Sequence, residues 1–460
     1  MRLSRRLALV TSLCVALDAS SALAQYSQPL FLELVRDPGR ADVPRTARSL
    51  AMAGDEQSAE GAEAAVRSPG SLMLGTGTDW VFSFGAAMYA RGELVTTPRQ
   101  LPPFEPERAI GPRSTAPIGI VGVATRGRRW AAAAFYDAAA RSEHQFVTGK
   151  ALLYYAALFP SLTTGSGSGE ATLSHSTTRV GGSVALGDRD KRLGIGVSVS
   201  AVRLHYEAAA TVNIETMTRG FDLELTTFCC VIDQDRVEFD QWKPSIAVSG
   251  VVTPMPHLAL TARWRHDPTF SSSRELSVVG ERQRELLTED VNFRVPDVYG
   301  FGGIVTAGAT TVSAEVARAG YAKVFSPVMS STFDPNYICG TIAVTNCPGW
   351  NFPYHETKDA TTVRAALEQQ IPLGSGRLML RAGFAHETGY TLARRATDES
   401  TRRNLSLPAP PIATPLEPPR ENSTWLSGGL GYTWHGAEIA FGAGHTDGQT
   451  RLLADLRLRR

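Results

Sequence analysis

The chain has 460 residues, 43% of them hydrophobic and 20% charged, with 42 Gly and 27 Pro, a composition that excludes a disordered or collagen-like polymer. Its 46 Lys and Arg stand against 45 Asp and Glu, a formal charge of +1, so no global basic field points to nucleic acid or to an anionic surface. No apolar run reaches the ~18 to 20 residues of a membrane-spanning helix, whereas a strand barrel, whose alternation leaves the mean hydropathy near zero, stays open.

In chain order, Arg2, Arg5 and Arg6 precede the apolar run Leu7 to Leu17, and Ala22-Leu23-Ala24 supplies the small residues a signal peptidase reads. Residues 1–24 are therefore expected to be a signal peptide, cleaved before Gln25. Cys14 follows Leu13 rather than a small residue, which argues against lipidation. An Ala- and Gly-rich segment, 25–78, comes next, and alternation begins after it. Trp80, Phe82, Phe84, Ala86 and Met88 form one parity and Val81, Ser83, Gly85 and Ala87 the smaller one between them. The same period of two recurs in Leu193 to Ala201 and in Leu258 to Arg265, which reads as strand.

Strands are predicted near 79–90, 115–125, 129–140, 172–187, 192–207, 240–253, 257–267, 296–307, 310–322, 359–371, 376–387, 422–433, 436–445 and 449–459. Their connections alternate. Tight turns fall at Gly127, at Asp188 to Lys191, at Pro254-Met255-Pro256, at Ala309, at Gly374-Ser375 and at His435-Gly436. Long loops are predicted over 91–114, 141–171, 208–239, 268–295, 323–358 and 388–421. Short turns at one end and long connections at the other are the pattern of an outer-membrane barrel. The expected fold is all-β, a transmembrane antiparallel β-barrel of about 14 strands over 79–460. Trp80, Tyr89, Trp130, Tyr136, Trp242, Trp264, Tyr321, Trp425 and Trp434 lie near strand ends, where interfacial girdles are expected. The chain ends Leu456-Arg457-Leu458-Arg459-Arg460 rather than on the aromatic residue usual for such barrels, yet Leu452, Ala454, Leu456 and Leu458 keep one apolar parity.

Before the first strand, Ala47-Arg48-Ser49-Leu50-Ala51-Met52-Ala53-Gly54 leads through Gly61 to Ala65 into Ser68-Pro69-Gly70-Ser71-Leu72. This resembles the N-terminal hatch of the FadL-type outer-membrane transporters of long-chain fatty acids and other hydrophobic compounds. Arg48, Leu50, Met52, Gly54, Pro69 and Leu72 fit the motif, while Ala53 stands where the family has Gly, and Ser68, Gly70 and Ser71 depart from its Asn-Pro-Ala-Gly-Leu. The resemblance implies that 25–78 plugs the barrel in a Gram-negative outer membrane. It also implies passive passage of hydrophobic molecules, with capture at apolar external loops and release past the hatch or through a gap in the wall. The alternatives are a general diffusion porin for hydrophilic solutes and a structural or secretion-partner barrel.

Two features are candidates for contact with a passenger. The first is Ala151 to Pro160, an apolar run in a predicted loop, in which Tyr154, Tyr155, Leu158 and Phe159 supply area and Arg141 and Lys150 stand close enough to meet an acid headgroup; packing between loops is the other reading. The second is a set of lumen-parity arginines, Arg263, Arg265, Arg364 and Arg381, with Glu368 among them. These hold a carboxylate through their bidentate forks or neutralise charge along the wall. Cys339 and Cys347 share a Pro-, Asn- and Gly-rich stretch, as for a disulfide closing an external loop, and Cys229-Cys230 form a vicinal bridge or pair elsewhere. No phosphate loop, HExxH, nucleophile elbow or Cys/His ligand spacing occurs, so no catalysis, metal or cofactor is expected. His175, His205, His266 and His386 read as surface or lumen residues. The expected contacts are a hydrophobic small molecule and outer-membrane lipid.

Overall fold

A computed structural model describes residues 43–55, 61–75, 77–89, 93–95, 108–110, 114–158, 161–188, 190, 192–219, 224–280, 284–323, 355–356, 358–389, 393–394, 422–446 and 449–460. The wall strands are β1 (Thr78–Tyr89), β2 (Ser114–Arg126), β3 (Trp130–Leu158), β4 (Ser161–Gly187), β5 (Leu193–Arg219), β6 (Glu224–Met255), β7 (Leu258–His266), β8 (Val298–Ala307), β9 (Thr310–Ala319), β10 (Ala360–Leu373), β11 (Gly376–Glu387), β12 (Ser423–Trp434), β13 (Ala437–Thr446) and β14 (Gln449–Arg459). Each pairs antiparallel with the next, and β1 pairs with β14 from Asp79↔Arg459 to Tyr89↔Gln449, which closes a ring of 14 strands. Closure satisfies the backbone groups that hydrocarbon would leave without partners. No helix among the described residues is long and apolar enough to cross a membrane.

Side-chain parity explains why the ring suits lipid. On β1, Trp80, Phe82 and Phe84 point outward and Val81 and Ser83 inward; outward large residues on other strands include Leu186, Ile195, Phe301, Leu426 and Phe441. An apolar band of that extent calls for apolar surroundings. Trp80, Trp130 and Trp434 edge it at the short-turn end, and Tyr136, Trp242, Trp264 and Tyr299 edge it on the other side. Two residues expected in the girdles lie elsewhere. Trp425 is buried on the inner face against Ala53 of the plug, and Tyr321 is buried in a short 3-10 turn beyond β9. The Tyr89 side chain falls outside the described residues.

Two predicted loops are strands instead. Residues 141–158 continue β3 and 161–171 begin β4, while 208–219 and 224–239 extend β5 and β6. They rise as two tall hairpins beyond the band, with rungs to Leu158↔Ser161 and Arg219↔Glu224. Sequences such as Leu162 to Gly169, with Ser, Thr and Gly on both parities, carry no alternation to read. A third predicted loop, 268–295, is mostly a hairpin, Thr269–Gly280 with Arg284–Arg294. It continues β7 and β8 past bends at Asp267-Pro268 and Val295-Pro296-Asp297, where the two prolines interrupt the ladder. It is called the outer hairpin below. Most of the predicted loops 323–358 and 388–421, including Cys339 and Cys347, lies outside the described residues. So do residues 1–42 and the side chains of Cys229 and Cys230.

Within these tall strands the apolar parity switches. On β5 the large residues Leu193, Ile195 and Val199 face outward, but Val202, Leu204 and Tyr206 face inward and are buried. On β6, Trp242, Ile246 and Val252 face outward, and Val237 and Phe239 inward. The switch marks the level at which lipid gives way to water outside the wall, so that apolar side chains turn to the lumen.

Candidate functional site: a plugged lumen under an aromatic cluster

Residues 43–55 and 61–75 occupy the lumen and form α1 (Ala47–Ala51), α2 (Ala62–Arg67) and a 3-10 turn Pro69–Leu74. Thr46 caps α1, its hydroxyl accepting from Ser49 N at 3.1 Å, which helps hold a helix of only five residues. Leu50, Met52 and Leu72 are fully buried. Small wall residues let the plug approach the backbone. A Cβ on Gly442 would lie 2.3 Å from Ala47 O, one on Gly383 2.4 Å from Ala53 N, and one on Gly196 2.4 Å from the Pro69 carbonyl carbon. Ala53, at the family's Gly position, adopts φ +54°, a left-handed backbone that costs an L-residue about 1–2 kcal/mol.

Charge ties the plug to the wall. Arg48 reaches Glu368 at 3.1 Å, and Glu368 in turn holds Arg381 at 2.8 Å, which holds Glu438 at 2.8 Å. These four residues line a polar cavity of about 360 Å³ beside the turns Gly374-Ser375 and His435-Gly436. Arg45 meets Asp137 at 2.6 Å with both side chains buried, and Asp455 accepts from Ala47 N at 2.7 Å. All four arginines picked out in the sequence face the lumen, and each meets a carboxylate. Arg263 and Arg364 share Glu315 at 2.7 and 3.4 Å, and Arg265 meets Asp267 at 2.9 Å. Of the two readings, this geometry is that of charges balanced along the wall. Glu315 and Asp267 carried no sequence signal as partners, because neighbouring strands and a bend supply them.

Asp267, in the bend beyond β7, gathers the outer rim. Arg179 donates to it at 2.6 and 3.0 Å and Ser245 at 2.6 Å. Burial pushes its carboxyl up, but the Arg179 and Arg265 charges and these bonds outweigh burial and hold it well below the usual carboxylate range.

Between the rim and the tall hairpins the lumen changes character. His175, Tyr206, Phe239 and Phe293 interlock with ring centroids 5.8–6.4 Å apart, the tilted and edge-on contacts that aromatic quadrupoles favour. Phe270 is fully buried on the same side of the wall, with Lys243 Nζ 5.6 Å from its ring centroid. The sequence reading missed this cluster by assigning Phe270 and Phe293 to a loop; the parity switch at Val202, Leu204 and Tyr206 is the signal that finds it.

The wall also opens between β2 and β3. Rungs join β2 to β3 from Arg126↔Ala131 to Ile120↔Asp137, then stop. Among the described residues no rung joins 114–119 to 138–146, and contact resumes only at Ile110↔Val147. Pro117, which has no N–H to donate, lies in the unjoined stretch. The hatch stands behind it, since Arg45 holds Asp137 at the gap's edge and Ile118 packs with Ala47 and Leu50. The apolar run Ala151 to Pro160, predicted as a loop, belongs to β3 through Leu158. Its side chains Lys150, Tyr154, Tyr155 and Leu158, and the whole of Phe159, fall outside the described residues; Arg141 sits on β3, across the ladder from Ser176.

No family model and no curated protein matches the chain. Solved structures do. A Pseudomonas aeruginosa FadL homologue superposes with TM-score 0.54 at 11% identity, over 90% of this chain and 98% of its own. The Ralstonia pickettii toluene transporter TbuX gives 0.51 at 17% identity, over 90% and 98%. The CymD monoaromatic hydrocarbon channel gives 0.51 at 11%, over 90% and 97%. The likeness spans plug and barrel, and establishes the fold.

Proposed function

We propose that this chain sits in a Gram-negative outer membrane and passes hydrophobic small molecules by diffusion, without catalysis. The observation that carries the reading is the buried aromatic cluster facing a lumen that is otherwise ion-paired. A molecule crossing the polar saccharide layer gains about 25 cal/mol per Å² of apolar surface it buries against such rings. The hatch stops the passage below, and the unjoined stretch between β2 and β3 offers a lateral way out at the membrane interface. The carboxylates already engaging Arg263, Arg265, Arg364 and Arg381 favour a neutral passenger over a fatty acid. A monoaromatic hydrocarbon, the class named for CymD, suits the cluster. Capture by Tyr154, Tyr155, Leu158 and Phe159, with Arg141 and Lys150 beside them, remains part of the proposal as the outermost step. The outward apolar band supports the membrane location, and a plugged, charge-laced lumen disfavours a general porin.

The test is toluene binding to the purified full-length chain. Replacing Tyr206 and Phe239 with Ser is expected to weaken binding by about 1–3 kcal/mol while the barrel still migrates faster unheated than heated in detergent gels. Unchanged affinity in a folded double variant would remove the cluster from the route.

A further inference from the structure

A second interruption in the wall lies between β6 and the outer hairpin, and it differs from the gap beside β3. Rungs join β6 to β7 up to Ile246↔His266 and join β6 to the outer hairpin from Val237↔Arg274 onward. Among the described residues no rung joins 238–245 to 267–273. Side chains span the interval instead. Gln241 Nε2 donates to Ser271 O at 2.6 Å and Lys243 Nζ to Thr269 O at 2.6 Å, while Ser272 Oγ donates to Glu238 O. Pro244 and Pro268, one on each side, have no N–H to offer a ladder.

The position of this slit gives it meaning. Outside it stands Trp242, half exposed, with Ile246 below it on the lipid-facing parity, so the slit opens at the outer aromatic belt. Inside it lie Phe270, under Lys243, and Phe239 of the aromatic cluster. A backbone ladder is a fixed wall, but Gln241 and Lys243 are long, half-buried side chains whose donors can be met by water at an interface when they swing aside. Lining, location and closure are those of a side door.

We infer that the slit between β6 and the outer hairpin is a lateral inlet through which neutral aromatic hydrocarbons dissolved in the outer leaflet reach the aromatic cluster without passing the tall hairpins. Gln241 and Lys243 act as its movable closure. The inference rests on the reading of the cluster as a passenger's lining, and adds a source and a route to it.

The experiment uses the full-length chain in proteoliposomes and a small aryl-trifluoromethyl-diazirine that partitions into bilayers. Probe-loaded liposomes are mixed with the proteoliposomes, flashed at increasing delays, and the labelled peptides mapped. Labels on Phe301 and Phe441 report lipid contact, and labels on Phe239 and Phe270 report arrival inside. Joining Gln241→Cys and Ser271→Cys with a short bismaleimide is expected to slow inside labelling several-fold without altering lipid-side labelling. Single-cysteine variants treated alike serve as controls, and Gln241→Ala with Lys243→Ala is expected to speed it. Inside labelling whose half-time is the same in wild-type, sealed and opened protein would overturn the inlet and show arrival through the water-facing mouth. No inside labelling in the wild type would instead overturn the function proposed for the cluster.

Discussion

Below the outer aromatic belt the wall is an unbroken ring of 14 strands, whereas above it the ladder fails on both sides of the group β3 to β6. The two levels share strands and differ in solvent. In hydrocarbon an unpaired backbone group costs several kcal/mol, so closure is obligatory there; at the interface, water and side chains satisfy the same groups, and the wall can part. The interiors differ in the same sense. Along β11 to β14 the plug is fitted to glycines and ion pairs, while beside the tall hairpins the lumen is lined by rings.

The contrast breaks most visibly if the plug is removed. Deleting residues 25–76 is expected to leave a folded, heat-modifiable barrel whose conductance in planar bilayers rises from nearly closed to that of an open pore, because the ring's rungs do not depend on the hatch. A deletion that fails to fold would mean that the ring needs its plug.

A smaller break is aimed at the rim. Asp267→Asn leaves Arg179 and Arg265 without their shared countercharge, and losing one partner of a buried ion pair typically costs about 3–5 kcal/mol. Hydrogen exchange is expected to show the outer hairpin opening while the strands within the apolar band stay protected. The sign with pH follows from the lowered pKa of Asp267. Its contribution is complete above the ordinary carboxylate value near 4 and is lost only as pH falls through its own depressed value. The rim is therefore expected to hold unchanged between about pH 5 and 8. Loss of hairpin protection within that range would contradict the assignment.

The least disruptive change sharpens the plug side. Ala53→Gly removes the left-handed strain at φ +54° and is expected to stabilise the docked hatch by up to about 1 kcal/mol, offset by the backbone freedom glycine adds to the unfolded chain. Slower exchange at Gly54 and Asp55 amides measures it.

How far the sequence revealed this arrangement follows from the same solvent contrast. Strands within the band read clearly because lipid outside and plug inside force large and small residues to alternate, as in Leu193 to Ala201. Hatch residues Arg48, Leu50 and Met52 read through resemblance to a family motif. The tall hairpins did not read, since Ser, Thr and Gly on both parities look like loop. Trp425 misled because an inward tryptophan fills space beside the small Ala53. The lumen arginines were legible as a set, but their partners were not: Glu315 comes from the other side of β8, and Arg263 can cross to it because Gly300 leaves the way clear, a Cβ there falling 2.4 Å from Arg263 Nε.

The central claim, that this is a closed barrel to water-soluble molecules and an open one to apolar molecules, is tested by comparing two permeants in one preparation. Outer membranes with intact saccharide and the full-length chain are expected to take up toluene faster than membranes lacking it, while proteoliposomes of the same protein show no swelling in small sugars. Rapid sugar-driven swelling with unaltered toluene uptake would contradict the account and make the chain a porin.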